Sequence, residues 1–343
     1  AVWIVRLPNG SESLMRNLLA RPWGRMAVGA VAMPGIALAW IALNDRVDPL
    51  WNLRLAYVAM YAIALFGMVV LVGHSGQVSL GNGAFMAVGG YAFALAFMHG
   101  FSPLIGMVAA AIAGLVFGVA VGVVAARLSG PYLAGLTLGL AVGLPALANR
   151  FPDLLGGDSG LLMDGPYPPE SFGMDFPMER WQAWVAGGAA IVAGALILAF
   201  IASPLGRSVR AVRDHEPAAA LVGINVARTK VTAFAVSAVT SALAGSVLVQ
   251  ILGLAAPGAF GIGLSLSLLV GTIVGGRSSV GGAVIGAVLL ALLPEGLSTL
   301  VANMQLEDRI ALNLPGFVYG GLLLLTVGLA PGGIATIRAR RRA

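Results

Sequence analysis

The stretch LILAFIASPLGRSVRAVRDHEPAAALVGINVARTKVTAFAVSAV, Leu196 to Val239, joins two apolar runs through a basic segment that is not a chain terminus. Its flanks are too apolar to face water, and its middle, with Arg207, Arg210 and Arg213 at three-residue spacing, is too charged to lie in lipid. Two membrane helices joined by a surface loop satisfy both demands. Composition extends this reading to the whole chain. Of 343 residues, 59% are hydrophobic and 10% charged, where soluble domains carry roughly 25% charged residues, and the mean hydropathy is +0.93. The predicted fold class is all-α, a polytopic membrane helical bundle.

Ten apolar runs approach the ~20 residues that span a bilayer. They lie near residues 26–43, 55–73, 83–98, 103–126, 132–148, 183–202, 231–254, 262–276, 280–300 and 314–330. The third, eighth and ninth are short, polar or broken by Gly or Pro, so about 10 segments are expected, with 8–10 plausible and some tilted, re-entrant or discontinuous. The 48 glycines favour close helix packing, and GLVFGVAVG puts Gly114, Gly118 and Gly122 on one helix face for that purpose. The run from Met26 exceeds the ~7–15 apolar residues of a secretory signal, so a retained first helix is expected.

An even number of crossings puts both termini on one side. Placing them in the cytoplasm leaves 15 of the 20 basic residues there, including Arg127, Arg228, Lys230 and Arg277, as the Lys/Arg bias of cytoplasmic loops requires. The acids Asp153, Asp158, Asp164, Glu170, Asp175 and Glu179 then fall outside. The organisation expected is a basic cytoplasmic N-terminal segment (1–25), a transmembrane domain (26–330) with a cytoplasmic loop at 203–230 and an outer loop at 149–182, and a basic cytoplasmic tail (331–343). This is a multi-pass membrane protein with both termini cytoplasmic on that reading.

Within the basic loop, Ser203 and Pro204 end one span and Leu205 to Arg213 predict a short helix whose three arginines share a face. Asp214 or Glu216 is expected to cap a second helix, with Pro217 in its first turn, Ala218 to Val222 as its body and Gly223 as its left-handed end. A loop that only obeyed the charge rule would explain the arginines but not the Ala-rich second helix. That small, smooth surface suits insertion into a partner's groove.

A second polar stretch, GHSGQVSLGNGAF at 73–85, borders a hydrophobic span. Irregular backbone at membrane depth is tolerated only where protein or a water-filled cavity satisfies its amides. Two readings stay open: a bent or re-entrant segment beside a translocation pathway, with Gln77 and Ser79 as lining among Gly76 and Gly81, or a turn whose glycines serve packing. Thr137 either lines that pathway or bonds its own helix. Glu295, after Pro294, is the one acid close to membrane depth.

The absences narrow the chemistry. With no cysteine there is no disulfide or thiolate site. The three histidines, His74, His99 and His215, are dispersed and no HExxH motif occurs, so no metal is expected. A Walker A loop needs G-x-x-x-x-G-K-[ST], yet the only lysine, Lys230, follows Thr229. The chain is expected to be no enzyme and to bind no cofactor. Its positive charge clusters beside spans, which marks a membrane-lipid surface and not a nucleic-acid site.

The run SPLGRSVRAVRDHEPAAALVGINVARTKVTAFAVSAVTSALAG resembles the cytoplasmic coupling loop of branched-chain amino acid ABC transporter permeases, of the M type. Further resemblance lies in GHSGQVSLGNGAFMAVGGYAFAL, RLSGPYLAGLTLGLA, GGDSGL and VGGRSSVGGAVIGAVLLALLPEGL, which together extend over about residues 55–330. It implies ATPase-coupling positions at Gly206, Arg207, Arg210, Arg213, Glu216, Ala218, Ala219 and Gly223. It also implies a place in the bacterial inner membrane, with cytoplasmic ATPases that use the ATP, a second homologous permease and an extracytoplasmic binding protein as partners, and transport by alternating access. Pro131 and the Arg277-Ser278-Ser279 run depart from the family pattern. Similar permeases carry leucine, isoleucine and valine, and relatives serve urea, short amides or other amino acids. The alternative is a secondary transporter or channel acting without an ATPase, which would ordinarily bury Asp, Glu or His along its spans; a membrane scaffold would leave both polar stretches without a purpose.

Overall fold

The computed structural model describes residues 22–128, 130–163, 168–169, 172–173, 176–303 and 320–321. Helices α1 (Pro22–Asn44), α2 (Pro49–Met68), α3 (Asn82–Met98), α4 (Pro103–Ala125) and α5 (Pro131–Arg150) come first. A one-turn α6 (Pro152–Leu155) and strand β1 (Leu161–Leu162) follow. Then come α7 (Met178–Ala202), α8 (Pro204–Asp214), α9 (Glu216–Leu221), α10 (Val226–Leu252), strand β2 (Leu254–Ala255), α11 (Ile262–Gly275) and α12 (Val280–Asn303). Among the described residues seven helices are long and apolar enough to cross a membrane, and the chain is a polytopic helical bundle. Nine of the ten expected spans are helical; the tenth, 314–330, lies outside the described residues apart from 320–321.

Local chemistry sets the helix starts. Proline occupies the first turn of α2, α4, α5 and α8, where its missing N–H costs nothing. Ser102, Ser203 and Asn225 cap α4, α8 and α10 by accepting from Ile105, Gly206 and Arg228 N–H groups. The ninth span differs from expectation. It is a continuous 24-residue α12 with Pro294 inside it, and not a short piece.

The core is built on α2 and α10, whose apolar windows are 78% and 72% buried, against 22–28% for α4, α5, α7 and α12. Helix α10 packs on α3 and α4, while α2 packs on α7, α10 and α12. Small residues permit this. A Cβ added at Gly118 would overlap the Ala238 methyl, and one at Gly122 would lie 3.1 Å from Phe234 Cβ, so the α4 glycines are spent on contact with α10. The outer loop is pinned as well: β1 pairs antiparallel with β2, Leu161 opposite Ala255 and Leu162 opposite Leu254.

Loops that alternate crossing would place on the same side meet one another. Asp45 and Arg180 approach to 3.8 Å, Arg54 and Glu295 form a two-bond ion pair at 2.7 and 2.8 Å, and β1 joins β2 at one end. At the other end Gly73, Arg213 and Ser278 come together.

Candidate functional site

The basic loop folds into two helices at a corner. Gly206 lets α8 turn back on α7, because a Cβ there would lie 2.6 Å from the Ile201 carbonyl oxygen and 2.8 Å from Ile201 Cα. One face of α8 carries Val209 and Val212 inward and buries them. The cap on α9 is neither Asp214 nor Glu216 but His215, whose Nδ1 accepts from Ala218 N–H at 3.1 Å. Two neighbouring carboxylates drew the expectation away from a ring nitrogen that reaches the same amide. Gly223, at φ +84°, ends the corner in the left-handed region as expected.

All three arginines are turned toward their own chain. Arg207 donates to the Ala202 carbonyl at 3.2 Å and Arg210 to that of Ile201 at 3.4 Å, both at the C-terminal end of α7, where orphan carbonyls and the helix dipole favour cations. Arg213 donates to the Gly73 carbonyl at 2.7 Å and holds Asp214 with Nε and Nη2. Glu216 is the partner of Lys230, Oε1 to Nζ 2.6 Å, which ties α9 to the start of α10.

These anchors decide which residues remain outward. Ala219 is buried within the chain, whereas Ala218 is exposed and Leu221 and Val222 are 89% and 77% exposed. Beside them, a cleft of about 270 Å³ opens between α8 and α10, lined by Leu205, Ser208, Val209, Ile224, Thr229 and Thr232. Leu221 and Val222 lie inside the Ala218–Val222 surface expected from the sequence, where they were not singled out, and they are its large exposed apolar side chains. Their signal was two large apolar side chains at the tip of a charged surface loop.

The second polar stretch begins as a π-helical turn, Val69–His74, that continues α2, and then runs without regular structure from Ser75 to α3. Gly76 takes φ +71°. Helix α3 has 17 residues and α11 has 14, so at ~1.5 Å per residue both fall short of a ~30 Å hydrocarbon core. An irregular segment precedes α3 and a 3-10 turn, Pro257–Phe260, precedes α11, and the starts of the two helices meet: Gly83 N–H donates to Ser265 Oγ at 2.9 Å, and a Cβ on Gly83 would lie 2.8 Å from the Phe260 carbonyl oxygen. These connections leave opposite ends of the bundle, so they reach each other only by dipping inward.

Polar side chains satisfy the backbone there. Leu80 N–H donates to Thr137 Oγ1 at 3.0 Å, and Gly81 N–H to Ser79 Oγ at 3.2 Å. Thr137 also donates back to Leu133 and Ala134 carbonyls, and Asn82 Nδ2 reaches Ser237 and Ser241 hydroxyls on α10. Of the residues expected along a pathway, Gln77, Ser79, Gly81 and Thr137 are buried and only Gly76 is exposed. Gly81 is set by packing, since a Cβ would lie 3.3 Å from Thr137 Cβ. The carbonyl oxygens of the Gln77 and Asn82 side chains are buried with no protein donor among the described residues. Glu295 lies away from this region, half exposed against Arg54.

Comparison with known proteins agrees with this architecture. The family described as branched-chain amino acid transport system / permease component matches residues 53–327. The high-affinity branched-chain amino acid transport system permease protein LivM of Salmonella typhimurium is 30% identical over 295 residues, 77% of this chain and 67% of that protein. LivM of Escherichia coli matches over the same extent at the same identity. The xylose transport system permease protein XylH of Haemophilus influenzae is 38% identical over 132 residues, covering 36% of this chain and 32% of its own. A polytopic bundle matched over most of its length by one permease family has one assignment: this chain belongs to the branched-chain amino acid transport system permease component family.

Proposed function

We propose that this chain is the membrane subunit of an ATP-driven importer for branched-chain or related amino acids. It works with separate cytoplasmic ATPases, a second permease and an extracytoplasmic binding protein. The observation that carries the proposal is the α8–α9 corner, which presents Leu221 and Val222 outward while charged bonds fasten its base. An exposed apolar tip on a rigid base suits a device that must receive force. On this reading the basic end is cytoplasmic, and ATP-driven movement of the corner rocks the bundle between inward-open and outward-open forms.

The pathway is proposed to run beside the Ser75–Gly81 segment, where non-helical backbone and the Gln77 and Asn82 carbonyl oxygens give weak, uncharged polarity. No carboxylate is buried among the described residues; the one buried charge is Lys230, spent on Glu216. That supports an external energy source over an ion-coupled carrier. The longer match to LivM than to XylH favours an amino acid over a sugar as cargo.

The test is reconstitution with and without the ATPase and binding protein. Radiolabelled leucine should enter only when ATP and all components are present. Uptake by this chain alone, driven by a gradient, would sink the proposal, and uptake of xylose in place of leucine would overturn the substrate class.

A further inference from the structure

We infer that Arg213 is not a contact for the ATPase but the strut through which the α8–α9 corner acts on the bundle, with the Gly73 carbonyl as its receiving point. This rests on the importer reading above. By spacing alone Arg207, Arg210 and Arg213 are equivalent, but their bonds separate them. The first two hold the helix that immediately precedes them. Arg213 reaches 140 residues back along the chain, to the last turn before the non-helical segment.

The receiving peptide is a joint between three parts of the fold. The Gly73 carbonyl accepts from Arg213 Nη1 at 2.7 Å and from Ser278 Oγ at 3.4 Å. A Cβ on Gly73 would lie 3.1 Å from Ser278 Cα and would overlap the Arg277 carbonyl, so only glycine lets the end of α2 and the turn between α11 and α12 touch. The corner, the end of α2 and that turn therefore share one peptide.

Geometry also orients Arg213. Asp214 accepts from the guanidinium at 2.8 and 3.0 Å, which leaves Nη1 for Gly73; the carboxylate is mostly exposed, so the pair sets direction more than strength. Gly76 lies against the stem: a Cβ there would come 2.8 Å from Arg213 Cγ. A displacement of α8 thus falls on the π-turn, a helical form that holds one extra residue and recurs at functional sites. Directly beyond it runs Ser75–Gly81, whose far end bonds to Thr137. The strut joins the corner to the segment proposed to border the pathway.

The experiment uses the complete reconstituted transporter carrying Arg213→Ala, Arg213→Lys, Gly76→Ala or Leu221→Asp. ATPase co-purification and leucine uptake per ATP hydrolysed are both measured. Arg213→Ala should retain at least half the native ATPase yet lower uptake per ATP at least tenfold, and Arg213→Lys, which still reaches one carbonyl, should recover part of the loss. Gly76→Ala lies outside the corner and should reproduce the uncoupling by two routes, strain of its own φ +71° backbone and pressure on the Arg213 stem; no added loss in the Gly76→Ala, Arg213→Lys double variant over Gly76→Ala alone assigns the effect to the strut, and this comparison decides the matter if Arg213→Ala lowers folded yield. Leu221→Asp should instead lose the ATPase. If Arg213→Ala loses the ATPase as Leu221→Asp does, or if Arg213→Ala and Gly76→Ala both keep native coupling, the inference is wrong. Absence of any ATPase on the native chain overturns the importer reading itself, whereas loss confined to Arg213→Ala overturns the strut alone.

Discussion

Lys230 Nζ lies 2.6 Å from Glu216 Oε1, and the two partners differ in burial: the lysine side chain is 9% exposed and the glutamate 50%. The pair is therefore asymmetric. Removing the glutamate strands a cation inside protein, whereas removing the lysine leaves a carboxylate that water can reach. Glu216→Ala should destabilise the chain by about 1–3 kcal/mol and Lys230→Met by less than about 1 kcal/mol. Thermal unfolding in detergent, with the double variant closing the cycle, measures the difference; equal losses would contradict the asymmetry.

Docking should depend on large apolar side chains and not on the arginines. Burying a leucine is worth roughly 1.5–3 kcal/mol, which is about 10- to 150-fold in affinity by the same conversion. Leu221→Asp or Val222→Asp should weaken ATPase association by that order without lowering folded yield, since both side chains are exposed. Ala219→Asp should behave differently and reduce folded protein, because Ala219 is buried. Titrated pull-down beside a fluorescence size-exclusion profile separates the two effects.

Glycines of the same spacing should differ in tolerance. Gly118 meets the Ala238 methyl, whereas Gly139 on α5 has no neighbour within 4 Å of an added Cβ. Gly118→Val should cost about 1–3 kcal/mol through overpacking. Gly139→Ala should leave the isolated chain unchanged or up to about 1 kcal/mol more stable through helix propensity. Melting temperatures of the two variants in the absence of partner subunits check the contrast.

Thr137 should act through its hydroxyl. Thr137→Val keeps the shape but leaves Leu80 N–H without its acceptor, at a cost of about 1–3 kcal/mol. Thr137→Ser retains the hydroxyl and should recover most of it. A valine variant as stable as the native chain would show that Leu80 finds another partner.

The absence of native cysteine allows single-cysteine labelling. In the form described here Val78 is 46% exposed and Ser79 is buried. Val78→Cys should react with a water-soluble thiol reagent in every nucleotide state, while Ser79→Cys should react only in states that open the segment. Steady labelling of Ser79→Cys throughout the cycle would place it in permanent contact with water and remove it from the moving part.

Much of this molecule was legible as text because membrane helices are local objects. Each must satisfy its own backbone and present an apolar exterior, so a run such as Pro103–Ala125 declares itself by composition. The corner was legible for a related reason: the Pro-Ala-Ala-Ala body and Gly223 are short-range signals. The π-turn was not. Val69–His74 is apolar apart from its histidine, and its conformation accompanies the close approach of Gly73 to Arg277, a residue more than 200 positions away.

By itself, then, the sequence determined a helical membrane bundle, a basic two-helix corner and a broken polar segment, since hydropathy, charge and turn chemistry act over a few residues. Only the tertiary structure decided what those parts touch. It turned the arginines inward onto carbonyls, buried Ala219 and exposed Leu221, and brought the Gly73 peptide under Arg213. The physical reason is that side-chain direction and partner choice depend on packing between distant helices, where a single glycine sets how near two backbones come.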